Sequence, residues 1–358
     1  MVSVPIAGIA IAASLYLVPD SRDPKSRPLD IPGALLSMGA VSALILAIIE
    51  GPNWGAASPQ LAITAATAVI LGLGFVLRER QAAYPLLDLA LFRLPRFSTG
   101  AAAVSLAFFS IVGFMFGFTQ YLQFVQGHTP LAAGIRFVPI AGGFMLGAIA
   151  SEELVRRFGT TRVVAGGLVI MTATMPLVLL WEINTSYLVV GPIVALIALG
   201  VGLVFAPAAE AVMGAVEAAK AGVGSAMNDV TQMLAGAFSI GVVGSVMYAI
   251  YAARLGDAVA SLPAEAREIA RDSVWAAVQL AASLPPEEAL ALTTAAKSAF
   301  TDALGLAVLI GAAFSLVGVL IVARFMPARG TNVSEDDDNS LPELELEDPS
   351  ALLLRQNQ

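Results

Sequence analysis

Long apolar runs broken by short polar clusters set the character of this chain. Nine runs are long enough to cross a bilayer, which takes about 20 residues at 1.5 Å per residue. They cover residues 2–18, 31–50, 60–77, 98–122, 132–151, 161–181, 187–213, 222–252 and 300–323. The pattern predicts an all-α polytopic membrane protein with about nine transmembrane helices. The punctuation between runs agrees with it. Asp30 followed by Pro32 is a helix start, an N-cap with proline in the first turn. Residues 254–299 mix Arg267, Glu268, Arg271 and Asp272 with Leu and Ala, and Pro263 and Pro285-Pro286 break them. That stretch predicts a long outer loop holding two short amphipathic helices.

Basic residues orient the spans. Arg22, Lys25 and Arg27 follow the first run, whereas a signal peptide places its positive charge first. The positive-inside rule then puts the N-terminus outside and loop 19–30 in the cytoplasm. Alternation gathers Arg78, Arg80, Arg93, Arg96, Arg156, Arg157, Arg162, Lys220, Arg324 and Arg329 on the same side, with the C-terminus cytoplasmic. The short outer loops, 51–59, 123–131 and 182–186, hold no Lys or Arg.

Composition narrows the function. The chain has 358 residues, 58% hydrophobic and 13% charged, and a mean hydropathy of +0.82. Soluble domains carry about 25% charged residues. Seven units of the net charge of −8 come from the tail, where eight acids face one Arg from Thr331 onward. That tail, 327–358, reads as an acidic disordered segment. Nothing forms a basic surface for nucleic acid. Cysteine is absent, there is one His, and none of the three Lys sits in a phosphate-cradling G-x-x-x-x-G-K-[ST] loop. No nucleophile–base set or metal cluster emerges, so neither an enzyme, a metal site nor a cofactor is expected. The partners are the lipid bilayer, a small-molecule substrate and protons.

Two spans carry a carboxylate that a purely apolar helix lacks: Glu210 and Asp229. An acid at membrane depth costs roughly 2.5–3.5 kcal/mol on insertion scales, so it usually faces a bundle interior or a wet cavity. The connection 214–221 is short, which predicts antiparallel neighbouring helices with both carboxylates toward one membrane face. Asp229 shares a stripe with Ser225, Gln232 and Gly236 and reads as a protonatable group on a cavity wall, or as an interhelical hydrogen-bonding contact. Glu210 follows Pro207 by three residues and reads as a second proton carrier, or as a side chain reaching the cytoplasmic interface. Arg136 meets an anionic group or plays a structural part. Phe114, Phe118, Gln120 and Tyr121 are candidates for one face of a substrate cavity, and Asn228 and Gln232 for another; the aromatic cluster serves equally as packing surface. Gly142, Gly143 and Gly147, and Gly236, Gly241 and Gly244, suit close helix approach.

Several motifs in order resemble a known family. They are Leu91-Phe92-Arg93-Leu94-Pro95-Arg96-Phe97-Ser98, Thr119-Gln120-Tyr121-Leu122-Gln123, and Thr129-Pro130-Leu131-Ala132-Ala133-Gly134 with Arg136 and Pro139. Arg157-Phe158-Gly159 and Ala221-Gly222-Val223-Gly224-Ser225-Ala226-Met227-Asn228 follow them. Together they look like the fourteen-helix drug:proton antiporters of the major facilitator superfamily. The resemblance implies a register. Residues 1–18 match the last helix of an N-terminal lobe, 19–30 a cytoplasmic linker, and 31–80 two extra helices. Residues 81–97 match a second cytoplasmic linker and 98–326 the C-terminal six-helix lobe. Five helices are then expected upstream, so the chain reads as N-terminally truncated, with the missing lobe required. Gln232 stands where the family commonly has Arg, four residues after the Asn of that helix. The implied function is secondary active, proton-coupled export of amphipathic or cationic drugs by alternating access, in the cell (plasma or inner) membrane. The alternative is a transport-incompetent truncated membrane module or assembly partner.

Overall fold

A computed structural model describes residues 30–55, 57–82, 91–216, 221–256, 258–260 and 262–326, with Gly8 and Ala13. The expected first span and the acidic tail lie outside the described residues. Among those described, every regular element is helical, and eight helices are long and apolar enough to cross a membrane. The chain divides into two compact units, Met1–Leu89 and Ala90–Gln358.

The described part of the first unit is a helical hairpin of α1 (Ile31–Trp54) and α2 (Pro59–Gln81). Asp30 caps α1 as the sequence predicts, accepting the Gly33 N–H at 3.2 Å. Ser58 does the same for α2 through the Leu61 N–H, and each helix has proline in its first turn. Arg78, from the last turn of α2, donates Nε and Nη2 to the Asp30 carboxylate at 3.1–3.3 Å. That hydrogen-bonded guanidinium holds the Asp30 carboxyl below the usual carboxylate range, against the opposing pull of burial. The remaining faces are overwhelmingly exposed Leu, Ile, Val and Ala, as a hairpin bathed in hydrocarbon requires.

The second unit is a six-span lobe. Its helices are α3 (Pro95–Gln120, ending in a π turn, Tyr121–Val125), the short α4 (Pro130–Ile135) leading into α5 (Val138–Phe158), and α6 (Thr160–Thr174, continued as a 3₁₀ turn to Leu180). Then come α7 (Tyr187–Met213), α8 (Ala221–Leu255), the short α9 (Ala264–Asp272) and α10 (Val274–Ala281), and α11 (Pro286–Phe325). The two short helices between Pro263 and Pro285 match the reading of loop 254–299. The helix that carries the last span is longer than the apolar run at 300–323, because α11 is already continuous from Pro286. Its first turns are rich in Ala and Leu, and the apolar window saw only the part that hydrocarbon demands.

Packing departs from expectation at one place. The short connection predicts α7 against α8, yet direct contact between them is slight: α8 packs mainly on α3 and α11, and α7 mainly on α5 and α6, with α3 lying between α7 and α8. Side-chain size explains it. Gly100 of α3 admits Ala208 and Val212 of α7, and Gly113 of α3 admits Ser239 and Val243 of α8. The Ser239 hydroxyl donates to the Phe109 carbonyl. On its third side α3 meets α11, where Ser110 Oγ lies 2.8 Å from the Gly311 carbonyl oxygen and 3.0 Å from Ser315 Oγ. Phe109 and Phe314 stack there at 4.0 Å.

The tightest seam is α5 against α7. A Cβ at Gly143 would sit 2.1 Å from the Ala195 carbonyl oxygen, and one at Gly147 2.3 Å from that of Leu199. In return, a Cβ at Gly202 would sit 2.2 Å from the Phe144 carbonyl oxygen. Gly200 meets Gly167 of α6 in the same way. Lipid is as apolar as leucine, so membrane helices associate through close van der Waals contact rather than burial from water. Gly143 and Gly147 thus serve as expected, whereas a Cβ at Gly142 meets nothing within 4 Å.

Gly147→Leu should lower the melting temperature of the purified protein by roughly 3–10 °C, the scale of an overpacked interior site. Gly166→Ala should leave it unchanged or slightly raised, since nothing lies within 4 Å there and alanine favours helix. Equal melting of Gly147→Leu and wild type in detergent would remove the backbone contact from this account.

Candidate functional site

The structure sorts the candidate residues into two groups at opposite ends of the lobe. One end gathers the start of α3, the end of α7 and the start of α8, where Arg96 reaches within 4.0 Å of the position a Gly214 side chain would take. Glu210, Asn228, Asp229 and Gln232 belong to this end.

Glu210 is exposed, one turn before α7 ends. It walls a groove of about 330 Å³ with Pro207 of its own helix and Glu152, Val155 and Arg156 of α5. Arg156 and Arg157 are both ion-paired to Glu153 instead. Asp229 lies two turns inside α8 and is exposed as well. Neither carboxylate pairs with a cation among the described residues.

Beside Asp229, the Asn228 Oδ1 is buried without a hydrogen-bond donor, and Gln232 is half-buried. Asp229 shares an exposed face of α8 with Met233 (72% exposed) and Ile240. The 3.6-residue period puts these positions on one face. A membrane helix that leaves a carboxylate and large apolar groups on one open face, beside half-buried amides, presents an amphipathic surface.

The other end holds the aromatic candidates, and there the structure separates what spacing had grouped. Phe114, Phe118 and Tyr121 are almost completely buried, at 2%, 0% and 0% exposure. Phe114 and Phe118 stack at 5.3 Å, and all three rings lie 5.2–6.2 Å from Trp181. The Tyr121 hydroxyl donates to the Glu182 carbonyl at 2.7 Å, and Gln126 donates both to Tyr121 and to the Thr185 carbonyl. These contacts staple the α6–α7 connection onto the π turn, so the three rings are packing in this structure rather than cavity surface. Gln120 sits two residues after Phe118, nearly opposite on the helix. It shares a half-exposed face with Phe116, four residues back.

Arg136 also belongs to this end. It caps α4, and its Nη1 donates to the Ala132 carbonyl at 3.0 Å. Its guanidinium lies over the Tyr187 ring at 5.4 Å, and the Tyr187 hydroxyl donates to the Arg136 carbonyl. Tyr187 opens α7, so about 35 Å of helix separates Arg136 from Glu210. Its surroundings are those of a structural tie. His128, in the preceding turn, is held below its usual pKa by partial burial and by the nearby Arg136 charge.

Trp181 and Tyr187 are functional to this architecture, and sequence reading passed them over. An aromatic at the end of an apolar run was the available signal. Among the described residues, no group of acids and His has the makings of a metal site.

The model of the Major Facilitator Superfamily matches residues 1–240. The multidrug efflux pump LfrA of Mycolicibacterium smegmatis is 29% identical over 322 residues, which cover 90% of this chain and 64% of that protein. The tetracenomycin C resistance and export protein of Streptomyces glaucescens is 29% identical over 331 residues, covering 89% of this chain and 61% of that protein. The chain thus spans less than two thirds of the length of these two relatives. A solved structure of a bacterial homolog to the human lysosomal transporter Spinster, inward-facing and unoccupied, is similar with a TM-score of 0.46. It is 16% identical and covers 82% of this chain and 67% of that one.

Replacing Phe118 by Ala should destabilise the lobe by about 3–5 kcal/mol, the usual cost of emptying a packed aromatic site. Gln120→Ala, at a half-exposed position, should stay within about 0.5 kcal/mol. Thermal melts of both variants check this, and a large loss at Gln120 with none at Phe118 would reverse the assignment of packing and open faces.

Proposed function

The chain belongs to the major facilitator superfamily and is a multi-pass membrane protein, and on that premise we propose that it exports amphipathic or cationic drugs in exchange for protons. The carrying observation is Asp229, a carboxylate exposed within an apolar membrane-spanning helix and without an ion partner among the described residues. Charge at such a position is costly, so it marks a wet pathway or a proton relay. Proton arrival neutralises Asp229 and lets its stripe close against an apolar surface. Proton loss restores a charge that attracts a cationic solute and demands water. Coupling follows because the two states of one carboxylate prefer two arrangements of the walls, and a ligand shifts a conformational equilibrium by its differential affinity.

The open stripe on α8 supplies one wall. The proposed transporter has a second lobe as its other wall, with the passage between them near the bilayer midplane and alternating access by rocking of the lobes. The relatives' names, a multidrug efflux pump and a tetracenomycin C resistance and export protein, support export over import. The α1–α2 hairpin fits the two extra helices of the fourteen-helix antiporter type. Glu210, one turn from a helix end, plays the lesser part in proton exchange. In the proposed orientation Glu210 and Asp229 lie toward the cytoplasm, and Tyr187, His128 and the short α9 and α10 lie toward the outside.

In vesicles holding the assembled two-lobe transporter, with an imposed pH gradient and a fluorescent cationic dye, Asp229→Asn should abolish most dye movement. Glu210→Gln should reduce it less. Wild-type rates for Asp229→Asn at equal abundance would assign that residue to packing.

Orientation has its own check, made clean by the absence of native cysteine. His128→Cys and Trp54→Cys should react with an impermeant thiol reagent on intact cells, and Arg93→Cys and Arg157→Cys should not. Labelling of Arg157→Cys from outside would invert the arrangement.

A further inference from the structure

A second open recess lies at the end of the lobe opposite Asp229. Its volume is about 170 Å³, room for several waters. Phe116 and Gln120 of α3, Tyr248 and Tyr251 of α8, Phe300 of α11 and Asp272 at the end of α9 line it. Four aromatic rings from three helices thus surround a space to which one carboxylate is added. The geometry around Asp272 is built. The Tyr251 hydroxyl donates to the Ala270 carbonyl at 2.9 Å, a buried bond that ties α9 to α8 just before the acid. Ser273, in extended backbone, then caps α10 by accepting the Ala276 N–H. Together these fix the α9–α10 junction, and Asp272 with it, at the recess.

The ligating groups are uncommitted. Asp272 is exposed and pairs with no cation among the described residues. The Gln120 amide makes only a long 3.4 Å bond to the carbonyl one turn earlier in its own helix. Phe116 and Tyr248 are each more than a third exposed, while Tyr251 and Phe300 are buried and fix the floor. Aromatic faces attract a cation through the ring quadrupole, and rings grouped around a small space are the usual receptor for a quaternary ammonium. A carboxylate at the edge adds direct charge attraction, and a single carboxylate matches a single positive charge.

We propose that this recess binds the cationic head of a lipophilic monocation, as a separate peripheral site at the α9–α10 end of the passage. It rests on the export reading for its role, as a station where the solute leaves the membrane-spanning stripe. Its binding chemistry stands on Asp272 and the rings alone. Stripe and recess lie on one helix, since Tyr248 lines the recess about five turns beyond Asp229 on α8.

The test is a calorimetric titration of the full chain in lipid nanodiscs with benzyltrimethylammonium. Wild type should bind it saturably. Asp272→Asn should weaken binding on the order of tenfold, the scale of one lost charge–charge contact partly shielded from water. Asp272→Glu should recover most of that loss, and Tyr248→Ala should weaken binding several-fold on the scale of one cation–π contact. Asp272 is exposed, so its amide variant is expected to fold, and a melting curve matched to wild type confirms that. Wild-type affinity in Asp272→Asn, or no saturable binding by wild type, overturns the site. Dye movement by the assembled transporter, measured in parallel, separates the two ideas. Retained dye movement with unchanged affinity in Asp272→Asn sinks only the peripheral site. Saturable, Asp272-dependent binding without any dye movement sinks only the export reading.

Discussion

The lobe depends on how closely α7 can be approached from both sides. Its carbonyl oxygens at Ala195 and Leu199 lie where a side chain on α5 would begin, and Gly200 faces Gly167 of α6 backbone to backbone. No hydrophobic gain from water drives such contacts in lipid, so attraction comes from the number of atoms brought to van der Waals distance. Glycine pairs maximise that number and keep the seam smooth. With α7 held this way, α3 is left to organise the remainder. Its own Gly100 and Gly113 receive α7 and α8, and Ser110 meets α11 by a buried hydroxyl. The carboxylates at one end and the aromatic recess at the other are positioned by this one arrangement.

Much of this was legible in the sequence, for identifiable reasons. Hydrocarbon thickness imposes a length on apolar runs, so the spans declared themselves. Asp30 before Pro32 and the proline breaks at 263 and 285–286 are local chemistry and read directly. Gly143 and Gly147 were legible as contact residues because close approach has few other solutions. The inward faces of the helices were not legible. A helix apolar all round carries no polar stripe to distinguish lipid from protein. Phe114, Phe118 and Tyr121 therefore offered no sign that they point at Trp181 rather than at a cavity. The separation of α7 from α8 was equally hidden, since it is set by which residues on α3 are small and not by the length of the connection.

The two ends of the lobe solve different problems with the same few residue types. At one end, two acids lie on open helix surface beside half-buried amides, with few partners among the described residues. At the other, tyrosine hydroxyls and a glutamine amide are spent on main-chain carbonyls, which fastens the connection between α6 and α7 and the junction of α9 with α10. The first arrangement suits exchange. The second suits a rigid frame.

Helix α11 runs unbroken for 40 residues, which is about 60 Å of helix against a hydrocarbon core of about 30 Å. The excess is stiff, and α10 packs against it. A rod of this kind is a lever. If its membrane portion tilts by about 10°, a point about 20 Å beyond the bilayer moves by roughly 3–4 Å, within the range of tilts that membrane helices adopt. Rearrangement deep in the bilayer is thereby amplified at the far end, where α10 rides on the rod, without any hinge between them.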